Sequence, residues 1–143
     1  MQNYPAFYVF AIALVALFIK TALTSVLQVL SRIKSKRYLL PEDAGLWNIA
    51  VVGSESLFVQ RCANVQRNDT ENVPLFLALA LTYVLLGASV QSAQWLFFSY
   101  VAIRYLHTVI YLRGVQPWRI VLYLSGMAVC WTIAAFIAGK LLA

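Results

Sequence analysis

Hydrophobic positions in this chain fall in long runs, not in the short alternations that mark half-buried strands. The first run extends from Ala6 to Leu30 and is interrupted only by Lys20. A second begins polar, Arg61 to Asn72, and turns apolar from Val73 to Ala88. A third covers Trp95 to Leu112 around Arg104, and a fourth, Val121 to Ala138, carries no charge. A helix needs about 20 mostly apolar residues to cross the hydrocarbon core of a bilayer. The pattern therefore predicts an all-α integral membrane four-helix bundle, one domain over 1–143, with spans near 6–30, 61–88, 95–112 and 118–139. The last element opens at Pro117-Trp118-Arg119, where proline suits the first turn of a helix.

Composition supports the bilayer as solvent. Of 143 residues, 62% are hydrophobic and 11% charged. Soluble domains average about 45–50% apolar and about 25% charged. A chain of this size buries only about 68–70% of its unfolded surface, too little to hide so much hydrocarbon. Such composition also excludes disorder. The net charge of +6 is too dispersed to suit nucleic acid.

Placement of Lys and Arg predicts orientation. Arg32, Lys34, Lys36 and Arg37 lie in the first loop and Arg113 and Arg119 flank the third, whereas Ser89 to Gln94 has none and the C-terminus has Lys140. Loops one and three are thus expected in the cytoplasm and both termini outside. The N-terminus lacks the basic region of a cleaved signal peptide, so the first span is expected to be retained. The host is expected to be the endoplasmic reticulum membrane or a bacterial inner membrane.

Charges inside spans are costly and tend to face a bundle interior or a watery cavity. Asn64, Asn68 and Glu71 share one helical stripe, and Arg67 and Glu71 are i,i+4 neighbours. Asp69 points elsewhere. Measured from Leu57, it lies about 18 Å deep, as Lys20 does measured from Arg32. The matching depths predict a structural Lys20–Asp69 pair. Arg104, His107 and Tyr111 follow at steps of three and four on one face, and Arg119, with Tyr123 one turn on, sits near the positive end of the last helix. Cys62 and Cys130 show no metal-ligand spacing and are expected to pack, with no metal implied. Asn68-Asp69-Thr70 matches a glycosylation sequon but lies within a helix at membrane depth, so it is discounted.

This inventory suits a small anionic or zwitterionic ligand reached from the cytoplasm, with a lipophilic partner entering from the bilayer. Arg pairs bidentately with carboxylates, and Glu71 can receive an ammonium group. A thiol would benefit from Arg119 and a helix N-terminus, since both lower its pKa from about 8.5.

The segment Arg61-Cys62-Ala63, followed by Arg67-Asn68-Asp69-Thr70-Glu71-Asn72-Val73-Pro74, resembles the second-helix signature of the membrane-associated proteins in eicosanoid and glutathione metabolism (MAPEG). Arg104-Tyr-Leu-His107-Thr-Val-Ile-Tyr111 resembles the third-helix motif of its microsomal glutathione transferase 1 and prostaglandin E synthase branch. Pro41-Glu42-Asp43 and the lysine of the first span fit the same branch. The resemblance covers nearly the whole chain. It implies a homotrimer binding glutathione between subunits near the cytoplasmic face, without a metal. By position it implies a glutathione site of Arg32, Arg67, Asn68, Glu71, His107, Tyr111, Arg119 and Tyr123. Arg119 would hold the thiolate and Asp43 would support catalysis. Lipophilic electrophiles or lipid hydroperoxides would be the second substrates.

The chain departs from the family pattern at several positions. Ile120 stands where the prostaglandin synthase carries serine, which favours a general transferase with peroxidase activity over the isomerase. The connection from Tyr111 to Arg119 is one residue shorter than usual. Asn64 replaces an arginine and Gln60 a glutamate, changes that weaken glutathione binding or shift part of it onto Arg61. The competing readings are the isomerase itself, a non-catalytic lipid-binding scaffold and a small cation exporter. The exporter calls for an unpaired mid-membrane carboxylate, which the Lys20–Asp69 pairing argues against.

Overall fold

Local chemistry marks several ends of the long helices. The computed structural model describes residues 4–142, which form α1 (Phe7–Ser35), α2 (Pro41–Gly45), α3 (Leu57–Leu85), α4 (Val90–Arg113) and α5 (Trp118–Leu142). Ser56 caps α3 by accepting from the Val59 N–H, and Ser89 caps α4 by accepting from the Ser92 N–H at 3.1 Å. Gly114 ends α4 at φ 73°, a left-handed conformation that glycine adopts without strain. Arg32 and Lys34 lie in the last turn of α1, where cations complement the helix dipole.

These signals move the expected boundaries. α1 continues beyond Leu30 to Ser35, α3 begins at Leu57 instead of Arg61, and α4 begins at Val90 instead of Trp95. Polar capping residues and terminal basic residues extend a helix past its apolar run. The described residues also form five helices where four were expected. The additional one, α2, has Pro41 in its first turn and Glu42 and Asp43 beside it. Five residues are too few to leave a periodic signature.

Three helices, α1, α4 and α5, are long and apolar enough to cross a membrane. The second expected span, α3, equals α1 in length but not in composition. Arg61, Arg67, Asp69 and Glu71 all lie in its first half.

α3 and α4 are central: α1 packs on both, α5 packs on both, and α1 does not contact α5 among the described residues. The core is layered. Val9, Ala13, Phe76, Ala80, Phe97, Tyr100 and Ile133 form an apolar layer in which Phe76 stacks on Tyr100 at 3.8 Å and meets Phe97 edge-on at 5.8 Å. Toward the first-loop end the layer gives way to buried Lys20, Asp69, Arg104 and His107. Large apolar side chains including Phe18, Trp95 and Trp131 point outward. This inverted surface suits lipid.

Candidate functional site

The site is built on a buried ion network. Lys20 from α1 contacts one oxygen of Asp69 on α3, and Arg104 from α4 donates to the other at 2.8 Å. The same Arg104 Nη2 donates to Asn68 Oδ1 at 2.7 Å. Two cations therefore share one carboxylate in the interior, and three helices are pinned at one level. Tyr100 Oη adds a bond to the Asn72 carbonyl at 3.2 Å. Pro74 cannot donate to the Thr70 carbonyl of the helix ladder, and one turn earlier Asn72 donates from Nδ2 to the Asn68 carbonyl at 2.7 Å.

Beside the network a pocket of about 160 Å³ opens between α3, α4 and α5. Asn68, His107, Tyr111, Arg119, Ile120 and Tyr123 line it. The step-of-three-and-four spacing on α4 brings His107 and Tyr111 to one wall, with ring centroids 5.7 Å apart. His107 is buried, and its Nδ1 has no hydrogen-bond partner among the described residues. Arg119 lies in the first turn of α5 with its guanidinium carbon 4.4 Å from the Tyr111 ring centroid. The Gln116 side-chain oxygen, in the amide orientation that satisfies both groups, accepts from Arg119 Nη2 at 2.8 Å and Nε at 3.2 Å. A cation clamped above an aromatic face at a helix N-terminus is a ready site for an anion.

Five residues expected at a ligand site thus meet in one pocket: Asn68, His107, Tyr111, Arg119 and Tyr123. Four others lie outside its lining. Arg32, at the end of α1, donates to Glu55 at 2.5 Å. Arg67 and Glu71 are exposed on α3 and form no ion pair with each other among the described residues. Asp43 is half-buried in α2. Arg61 donates to the Leu112 carbonyl at 3.0 Å and so closes the C-terminus of α4. Cys62 and Cys130 are buried free thiols.

Sequence reasoning missed three participants. The stripe of Arg104, His107 and Tyr111 predicts a polar face but not the bond from Arg104 to Asp69. The depth of Arg104, about 14 Å from the end of α4, was a usable signal. Gln116 and Glu55, which hold Arg119 and Arg32, gave no signal because each lies in a loop, outside any helical stripe.

Comparison with known proteins places this geometry. The model of the MAPEG family matches residues 5–139. This chain belongs to the MAPEG family. Relatives of this MAPEG chain include the prostaglandin E synthase of Equus caballus, 32% identical over 134 residues, covering 93% of this chain and 86% of the relative. The Homo sapiens prostaglandin E synthase is 30% identical over 135 residues, covering 94% and 89%. That of Mus musculus is 33% identical over 117 residues, covering 81% and 74%. Family membership and the three apolar helices make this MAPEG chain a membrane protein.

Proposed function

We propose that the protein is a membrane-bound glutathione transferase with peroxidase activity. The observation that carries this reading is the convergence of Asn68, His107, Tyr111, Arg119 and Tyr123 on one pocket at the N-terminus of α5. Glutathione brings carboxylates, an ammonium group and a thiol. Arg119 and the α5 N-terminus stabilise the thiolate, and the phenol groups and Asn68 hold the peptide.

The pocket of one subunit is small. Sites for drug-sized ligands typically span about 300–1,000 Å³, against about 160 Å³ here. A second copy completes the site in the proposed homotrimer, bringing Arg32, while Arg67 and Glu71 face the join and Asp43 supports from the first loop. The Lys20–Asp69 pair is structural and holds α3 in register. α3 crosses the bilayer with its polar half shielded, loops one and three lie in the cytoplasm, and the host is an endoplasmic reticulum or bacterial inner membrane.

In conjugation the thiolate sulfur attacks an electrophilic carbon, forming the C–S bond as the leaving group departs. In hydroperoxide reduction it attacks the distal oxygen and the O–O bond breaks. The lipid leaves as an alcohol after protonation, and a second glutathione converts the sulfenic acid to disulfide and water.

Isothermal titration of the detergent-purified chain with glutathione tests the reading. Binding heat with a thiolate absorbance on mixing supports it, and the absence of both refutes it. Turnover of a model electrophile separates an enzyme from a lipid-binding scaffold. A second reading, a prostaglandin E synthase-type isomerase, is favoured by the relatives' activity. Ile120 beside Arg119 argues for the transferase, and product analysis with a prostaglandin endoperoxide against an electrophile decides between them.

A further inference from the structure

Asn68 belongs to both the buried ion network and the pocket, and its amide fits only one way round. Its oxygen accepts from Arg104 Nη2 at 2.7 Å, the nitrogen that also reaches Asp69 at 2.8 Å. Turning the amide over would set its NH2 group against a guanidinium, donor facing donor. Arg104 cannot give way, because it is 1% exposed and its guanidinium has no acceptor to offer. Asp69 is held in turn by Lys20 on its other oxygen. Asn68 Nδ2 has no acceptor among the described residues and is not sealed in the interior, and Asn68 lines the pocket.

We infer that Arg104 is a positioning residue: by occupying the Asn68 oxygen it presents Asn68 to the pocket as a hydrogen-bond donor. At this position the wall then favours a ligand acceptor, a carboxylate or thiolate, over a group that itself donates. The chain of contacts runs from α1 through α3 to α4, so the amide of a ligand-facing residue is set by charges the ligand never touches. The inference rests on the reading that the pocket binds glutathione. It differs from a purely structural role, in which Arg104 only neutralises Asp69, because it requires Arg104 to act on the ligand through Asn68.

A double-mutant cycle on the full-length detergent-purified protein separates the two, with glutathione as titrant and thermal unfolding as control. Arg104→Lys keeps a cation beside Asp69, but its shorter point charge stays with the carboxylate and releases the amide. Loss of one hydrogen bond to a charged group predicts a Kd raised about tenfold in Arg104→Lys and in Asn68→Ala. The double variant should show the Kd of either single one, because both remove the same contact. Asn68→Asp retains the bond to Arg104 and the melting temperature but turns an acceptor toward the pocket, so it should bind more weakly than Asn68→Ala. Additive effects in the cycle overturn the inference. So does Asn68→Asp binding as tightly as the wild type, a measurement that stands even if Arg104→Lys fails to fold. Wild-type protein that binds no glutathione refutes the functional reading and this inference together. Wild-type binding with an additive cycle refutes this inference alone.

Discussion

Arg119 lies above Tyr111, its guanidinium carbon 4.4 Å from the ring centroid, while Gln116 holds the edge of the same guanidinium. The ring thereby orients the cation assigned to the thiolate. A cation–π contact at a partly exposed site contributes about 0.5–1 kcal/mol. Tyr111→Phe keeps the ring face and should keep Arg119 in place, losing only the contribution of the hydroxyl. Tyr111→Leu removes both and should have a kcat/KM for conjugation a further two- to fivefold lower, about the rate equivalent of that contact. Steady-state kinetics of the two variants side by side measures the ring's share, and equal rates would remove it.

The Lys20–Asp69–Arg104 network predicts an order of stabilities. Asp69 faces two buried cations, with side-chain exposures of 2% and 2% against its own 5%. Asp69→Asn leaves both cations uncompensated, and breaking a buried pair in this way costs about 3–5 kcal/mol. Lys20→Met leaves Asp69 and Arg104 as a balanced pair and should cost clearly less. Thermal unfolding in detergent should rank wild type above Lys20→Met and Lys20→Met well above Asp69→Asn. The reverse order would show that Lys20, not Asp69, is the keystone.

The apolar layer predicts a loss of stability without a loss of chemistry. Phe76 is fully buried, stacked on Tyr100 at 3.8 Å and edge-on to Phe97 at 5.8 Å. Its truncation to alanine removes these contacts and leaves a cavity, a change worth about 3–5 kcal/mol in well-packed cores. Phe76 lies two turns from Asn68 along α3 and does not line the pocket. The variant should melt several degrees lower yet bind glutathione normally well below its transition. Weakened binding at low temperature would mean that the layer shapes the pocket as well.

Much of this molecule was legible in its sequence, and the gaps have physical causes. Long apolar runs exposed α1, α4 and α5 because a bilayer demands uninterrupted hydrocarbon. The polar onset of α3 marked Asn68 and Asp69 as functional or structural, and equal depth was enough to pair Lys20 with Asp69. Arg104 lies at a comparable depth from its own helix end and is the third member of that network. The starts of α3 and α4 run ahead of the approximate apolar spans because Ser56 and Ser89 act through a single side-chain oxygen, which no hydrophobic pattern reports. Arg67 and Glu71 illustrate another limit: i,i+4 spacing allows an ion pair, but on an exposed face the pairing gains little and does not form.

Orientation is open to direct measurement. Lys36 lies just beyond α1 and Gln91 in the first turn of α4, and both are exposed. The excess of Lys and Arg in loops one and three predicts Lys36 in the cytoplasm and Gln91 outside. With Cys62 and Cys130 buried, Lys36→Cys and Gln91→Cys supply the accessible thiols. A membrane-impermeant maleimide added to sealed vesicles with their cytoplasmic face outward should label the Lys36→Cys variant, and the Gln91→Cys variant only after permeabilisation. The opposite pattern would turn the bundle over and place the pocket on the other face.

The proposed mechanism puts the chemistry on Arg119. If it stabilises a thiolate, its removal should damage the reaction more than binding, because negative charge on sulfur is what it addresses. Arg119→Ala should lower kcat/KM for conjugation about a hundredfold or more, the cost of losing one preorganised oxyanion-type donor. Glutathione affinity should fall less, since Asn68 and the phenol groups still hold the peptide. The pH dependence gives a second, independent reading. A free thiol ionises near a pKa of about 8.5, so in Arg119→Ala the rate should climb steadily from pH 7 to 9. In the wild type the sulfur is already a thiolate at neutral pH, and the rate should be nearly flat over the same interval. A variant with the wild-type rate, or a wild type whose rate climbs as steeply as the variant's, would remove Arg119 from the mechanism.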